Sequence, residues 1–231
     1  MLSCTVCGRP PAAAYEVSIR GEATCESHAV VERCVFCGRP RSRTCAGWSR
    51  FTAGAARCPT CAGCAVDTQE QARAHIPAVR QEMAAAGITL ATRVRVELHD
   101  IDQADAGLRL GVTHSREWLN GRPSDVLGIE IARGLPDINF GLTLAHEIGH
   151  AWLVQNDATN LEPALAEGVC ELFAAAWLKR RGTLVALALR DSLATNPDPV
   201  YGGGYRMVRA VVVKHGIADV LTHIRDHGSL P

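Results

Sequence analysis

Apolar and polar positions along the chain fall into two regimes: an N-terminal stretch with little periodicity, then a longer stretch that reads as helices and short strands. From Thr68 to Ala86 apolar residues recur at helical spacing among charged ones, and Gly87 supplies a stop. Ile88 to Leu98 alternates with period two, Leu108 to Val112 is short and apolar, and Val126 to Ala132 is a third strand, with turn signals at Asp105 to Gly107 and Asn120 to Ser124 between them. Asn139 to Val154 then returns to helical spacing. A further helix opens at Glu162-Pro163, where proline is tolerated, and ends on Lys179-Arg180-Arg181 before Gly182. In the tail, Tyr201-Gly202-Gly203-Gly204-Tyr205-Arg206 reads as a flexible turn opening a helix to His215, and another helix follows from Ile217 to His227. The fold class expected is α+β.

Composition narrows the class. At 231 residues, 47% hydrophobic and 21% charged, the chain is long and apolar enough to bury a sizeable core, which excludes disorder as its main state. The 24 basic and 24 acidic side chains cancel, so no overall field draws the protein to nucleic acid or to an anionic membrane. No run reaches the roughly 18 apolar residues of a membrane span. The first residues, MLSCTVCGRP, lack the basic start and apolar stretch of a secretory signal, so the expected compartment is the cytoplasm.

Cysteine changes the picture most. Nine of the 10 lie among the first 64 residues. In a reducing compartment such clustering points to metal rather than disulfides. The pairs Cys4-x-x-Cys7, Cys25-x-x-His28, Cys34-x-x-Cys37 and Cys58-x-x-Cys61 make eight ligands, enough for two closed tetrahedral zinc sites. The first would hold Cys4, Cys7, Cys25 and His28, the second Cys34, Cys37, Cys58 and Cys61. Gly8 and Gly38 follow two of the knuckles, where a turn needs backbone freedom. The intervening lengths suit zinc-stapled β-hairpins of LIM type, too small to hold a core unaided. Cys45 and Cys64 are left over, and Cys64 could replace a neighbour. Eight arginines against four acids, less the charge of two thiolate sites, leave this head near +1, too weak for a nucleic-acid grip. Arg39, Arg41 and Arg43 read as a solvated loop. The chain thus divides into residues 1–66 and 67–231.

The body carries His146-Glu147-x-x-His150. On a helix the two imidazoles stand one turn apart on one face, as a shared zinc requires, and Glu147 is placed to act as general base on a zinc-bound water. Leu144, Ile148, Ala151 and Trp152 form the stripe to be buried. A catalytic zinc needs a third ligand, and Glu167, on the returning helix before Gly168, fills that part; Glu171, one turn later, is the acceptor for a ligand histidine N–H. Tyr201, with Tyr205 second, is the candidate donor to an oxyanion. The free edge of the Val126–Ala132 strand could bind an extended peptide. Cys170 reads as core, and His223 and His227 as surface residues.

Together these motifs resemble the DA-one family of plant LIM-domain peptidases and its bacterial relatives: the CxxC, CxxH, CxxC, CxxC series, GLP-x(7)-LAHEIGHAWL from Gly134 to Leu153, Glu167-Gly168-x-Cys170, Tyr201-Gly202-x-Gly204-x-Arg206, and HIR-x-x-G-x-x-P from His223 to Pro231. The resemblance implies a zincin-like, gluzincin-like metallopeptidase domain, a small sheet plus active-site helices, preceded by a LIM-like module. It implies one catalytic and two structural Zn2+, catalytic Glu147, and a protein or peptide substrate with a possible protein partner at the module. The family's paired glutamates before glycine are reduced here to Glu167, because Ala166 holds the first place. The plant members' ubiquitin regulation is not carried over. The competing reading is a non-catalytic zinc-binding adaptor built on the same scaffold.

Overall fold

A computed structural model of the protein describes residues 3–10, 14–42, 45–52, 54–100, 102–104, 107–116 and 124–231. In chain order the strands are β1 (Tyr15–Val17), β2 (Ala23–Cys25), β3 (Ser49–Arg50), β4 (Ala56–Arg57), β5 (Ala65–Val66), β6 (Val96–His99), β7 (Asp102–Ala104), β8 (Gly107–Arg109), β9 (Gly111–Arg116), β10 (Asp125–Ala132) and β11 (Leu135–Pro136). The helices are α1 (Pro59–Gly63), α2 (Gln69–Ala84), α3 (Asp137–Gln155), α4 (Pro163–Lys179), α5 (Leu184–Thr195), α6 (Tyr201–His215) and α7 (Ile217–His227). The result is a mixed α+β fold with small sheets. None of the described helices is long and apolar enough to cross a membrane.

The head consists of the hairpins β1/β2 and β3/β4 followed by α1 and β5. It is not tethered loosely: β5 pairs antiparallel with β11, and Asp137 N donates to Cys64 O at 2.8 Å just where α3 begins. Arg57 reinforces the seam, donating to Gly134 O at 2.8 Å and to Asp67 at 3.0 Å. Cys34, Phe36, Cys37, Cys58 and Cys61 are buried in one cluster with Val66, Leu135 and Phe140.

Helix α2 starts where a capping box forms. Thr68 accepts from Gln71 N while the Gln71 side chain accepts from Thr68 N at 2.9 Å. Its Ala72, Ile76, Val79 and Met83 face is buried. The strand expected over Ile88–Leu98 shortens to β6, because side chains satisfy the preceding backbone without a sheet. Arg80 donates to Val94 O, and Gln155 brackets Thr92, accepting from its N–H and donating to its carbonyl at 3.2 Å each. The Gln69 amide then occupies the outer edge of β6, donating to Val96 O at 3.0 Å and accepting from Leu98 N at 2.9 Å.

The main sheet has the order β6-β10-β9, with β10 parallel to β6 and antiparallel to β9. This corrects the expectation of a free edge on the Val126–Ala132 strand: β10 is central, with Ile129 and Ile131 buried, and among the described residues the open edge belongs to β9. The turns read at Asp105–Gly107 and Asn120–Ser124 lie mostly outside the described residues. Helix α3 packs on β9 and β10 with one side and on α4 with the other, and α4 is covered in turn by α5 and α6.

The tail departs from its sequence reading. The glycine run at Tyr201–Arg206 is the first turn and a half of α6 itself, not a flexible turn. A Cβ on Gly204 would stand 2.0 Å from Ala164 O, and one on Gly168 would stand 2.5 Å from Gly204 C. These glycines are required by helix contact rather than by mobility. Helix α5, which the sequence shows only as a short apolar stretch, is capped by Thr183, whose hydroxyl accepts from Ala186 N at 3.1 Å.

Candidate active site

Helices α3 and α4 bring the chemistry together. The buried stripe of α3 holds Leu144, Ile148, Ala151 and Trp152, as its periodicity requires. That leaves His146 and His150 facing α4, their Nε2 atoms 3.2 Å apart. From α4, Glu167 Oε2 lies 3.2 Å from His146 Nε2 and 3.6 Å from His150 Nε2. Ligands about 2.1 Å from a tetrahedral zinc are about 3.4 Å from one another, so the three atoms outline one face of such a site. Glu167 Oε2 is buried and makes no hydrogen bond to either ring. Atoms aimed at a common centre behave in this way, and the set fits a zinc ion.

Glu171 completes the orientation. Its Oε1 is 3.5 Å from His146 Nδ1, so it can hold a proton there and leave Nε2 with its lone pair for metal. Burial alone would lower the His146 pKa, but Glu167 and Glu171 outweigh it and raise the value to about 10. Burial likewise opposes ionisation of Glu167, and the two imidazoles win, bringing it down to about 2. Cys170 also approaches the two histidines, its sulfur within 4.8 Å of their ring nitrogens. Burial pushes this thiol well up, and the residue is fully enclosed as its sequence context suggests, whereas Glu167 Oε2 lies 3.2 and 3.6 Å from the same two nitrogens and lines the cleft.

Glu147, beside His146 on α3, lines a cleft of about 780 Å3 together with His146, His150, Glu167, Glu171 and Tyr201. It is 5% exposed. Strand β9 holds it there: Thr113 Oγ1 donates to Glu147 Oε2 at 2.7 Å, and a Cβ on Gly111 would meet Oε1 at 2.5 Å. The sequence reading missed Thr113; its only signal was a hydroxyl in a short strand. The ring of Tyr201 stacks on His146, centroids 6.4 Å apart at 26°, with 43% of the residue exposed at the rim. Burial, then Glu167 and Glu171, raise its phenol pKa, so it stays a donor at neutral pH. Tyr205 is 3% exposed and belongs to the core.

In the head, the eight expected ligands gather in two fours. Thiolates about 2.3 Å from a tetrahedral zinc are about 3.8 Å apart. In the first site Cys4 Sγ lies 3.5 Å from Cys25 Sγ and 3.7 Å from His28 Nδ1; in the second Cys37 Sγ and Cys58 Sγ are 3.7 Å apart. Both clusters are compatible with zinc. Gly8 and Gly38 adopt φ of 74° and 67°, closing their knuckles as expected. Burial opposes ionisation of Cys4, but backbone hydrogen bonds at Cys25, Cys7 and Val6 lower it to about 6. Cys64 joins neither site, its sulfur lying 3.5 Å from Thr60 O. Arg39 pairs with Glu22, and Arg41 with Glu32 at 2.6 Å, so neither is available to phosphate; Arg43 lies outside the described residues. Arg20 was missed. From the β1/β2 turn it donates to Cys61 Sγ at 3.5 Å, where it would offset the negative charge of four thiolates on a zinc ion.

No solved structure matches the chain significantly. Among curated proteins, it is 33% identical over 141 residues to Protein DA1-related 1 of Arabidopsis thaliana, covering 48% of this chain and 26% of that protein. Protein DA1 of the same plant is 29% identical over 138 residues, covering 48% and 26%. The LIM domain-containing protein HDR3 of rice, Oryza sativa subsp. japonica, is 28% identical over 146 residues, covering 48% and 29%. The matched stretch is thus about a quarter of the length of these relatives. The family profile described as DA1-like (Protein DA1) matches residues 66–194, which contain His146, Glu147, His150, Glu167 and Glu171, and the chain belongs to that family.

Proposed function

We propose that the protein is a zinc-dependent, gluzincin-like metallopeptidase that hydrolyses peptide bonds of protein substrates. The observation that carries this reading is the convergence of His146, His150 and Glu167 in one cleft with a carboxylate, Glu147, that ligates nothing and is held by Thr113. A zinc ion bound there would supply a Lewis acid that acidifies water and polarises a carbonyl. Glu147 would take the proton of the attacking water at Oε1 or Oε2 and return it to the departing amine. Tyr201 would donate its phenol proton as a hydrogen bond to the carbonyl oxygen as negative charge builds there. Glu171 keeps His146 oriented throughout. The open edge of β9, rather than β10, would align an extended substrate by backbone hydrogen bonds. A zincin-like body accounts for this arrangement of strand, α3 and α4. The two zinc clusters of the head fit a LIM-like module for partner binding or regulation.

The test combines turnover with metal content. The Glu147→Gln chain is expected to lose cleavage of fluorescein-labelled casein by roughly a thousandfold. It should keep about three zincs per chain by elemental analysis, while Glu167→Ala should keep about two. Undiminished cleavage by Glu147→Gln would remove the assigned base. No cleavage by the parent, with two zincs in both chains, would favour the adaptor.

A further inference from the structure

Behind the active-site helix, on the side away from the cleft, two cavities of about 610 Å3 and about 380 Å3 share Pro77, Arg80, Arg93 and Val94. The larger is lined by Arg73, Arg80, Arg93 and Arg95. Glu97, its acidic residue, is taken by Arg95 at 2.5 Å. Among the described residues no carboxylate pairs with Arg73, Arg80 or Arg93. Arg80 is partly buried and donates to Val94 O, a bond that holds its guanidinium in place without cancelling its charge. Burial and then the charge of Arg93 lower its pKa, the cost of holding like charges together without a counterion. In a chain of zero net charge this concentration is local. Pro77 sits inside α2 where the cavities meet, and having no N–H it withdraws the ladder donor from the Arg73 carbonyl at the same place.

Beyond the shared arginines, the smaller cavity turns mostly apolar. Met83, Ile88, Leu90 and Ile148 line it, and Ile148 lies inside the His146–His150 motif, so its wall is the back of α3. We propose that the joined cavities form a binding site for an acidic protein segment, its carboxylates on Arg73, Arg80 and Arg93 and one aliphatic side chain in the apolar pocket. Guanidinium forks suit carboxylates. The adjacency of the two cavities, which share four lining residues, and the apolar lining of the smaller one favour a peptide over an isolated small anion, which would use the arginines alone.

The experiment is fluorescence anisotropy on the full chain with two labelled peptides, Glu-Glu-Leu-Glu-Glu and Glu-Glu-Ser-Glu-Glu. The leucine peptide is expected to bind saturably and to weaken as salt is raised. Its affinity should fall tenfold or more in the double variant Arg73→Glu, Arg93→Glu, and also in Ala84→Trp, which fills the apolar pocket from an exposed position. The serine peptide should bind at least threefold more weakly. Circular dichroism and zinc content are measured on each variant, and both should match the parent. Absence of saturable binding overturns the proposal, as does an affinity that both variants leave intact. Equal binding of the two peptides, with inorganic pyrophosphate displacing both, would make this a free-anion site and overturn it too.

Discussion

Thr113 and His146 show how far single side chains set the cleft's chemistry. Thr113 anchors one oxygen of Glu147 and touches no proposed ligand. Replacing it by valine keeps the shape and removes one hydrogen bond to a charged group, a loss of about 1.5 kcal/mol. Thr113→Val is therefore expected to lower kcat on a peptide substrate about tenfold with KM little changed, while Thr113→Ser retains most activity. A change confined to KM would show that Thr113 acts on binding instead. His146 sets a pH dependence. Without metal it holds its proton up to about 10, against an ordinary 6.5. A raised folded pKa contributes stability that is fully present below 6.5 and is lost as pH rises through about 10. A zinc ion binding there would have to displace that proton, so the apparent affinity of the proposed site should rise with pH over the same window. The rise in Tm on adding zinc should accordingly be larger at about pH 8.5 than at about pH 6.5, measured by scanning calorimetry. An equal rise at both would mean that His146 is not protonated in the metal-free fold.

Between elements, the decisive contact is α4 against α6. The pairing of Gly168 with Gly204 brings the two backbones close enough for Gly204 to lie under the Ala164 carbonyl. This closeness carries Tyr201, at the start of α6, over the His146 ring. Gly204→Ala would force α6 outward at a cost of about 2 kcal/mol, lowering Tm by roughly 4–8 °C. Because Tyr201 would move with the helix, activity should fall by more than Tm alone explains. Gly203→Ala, whose Cβ would meet its nearest neighbour at 3.7 Å, should be nearly neutral. A thermal-melt comparison of the two variants decides the point, and equal losses would contradict close packing as the role of the run.

Across the whole molecule, the head and body share a core. The second cysteine cluster, the β5/β11 pair and the first turn of α3 are consecutive in space, and Arg57 ties β4 to Gly134. Zinc bound in that cluster would therefore stabilise the body as well as the head. Cys61→Ser is expected to remove about one zinc and to lower the single melting transition by roughly 10 °C, about 4 kcal/mol. Two separate transitions, with the upper one unchanged, would show that the head folds as an independent unit.

Much of the site was legible because its parts are local. Histidines at i and i+4, cysteines at i and i+3, and a proline opening a helix have fixed spatial meaning once the helix or knuckle forms, and such spacing is all that His146, His150 and the eight head ligands require. Glu167 and Glu171 were legible one step further out, because a helix returning along α3 presents one face. The rest depended on neighbours remote in sequence. Period two over Ile88–Leu98 could not reveal that Arg80 and Gln155 would take the backbone bonds of that stretch and leave only Val96–His99 to the sheet. Nor could a run of glycines declare whether it serves freedom or closeness; the Ala164 carbonyl decides that. The chain's own sequence determined which residues could bind metal and on which helical faces they stand. Tertiary structure decided that, among the described residues, β9 rather than β10 carries the open edge, that Thr113 holds Glu147 and that Arg20 reaches Cys61, because each depends on segments whose separation along the chain carries no periodic signal.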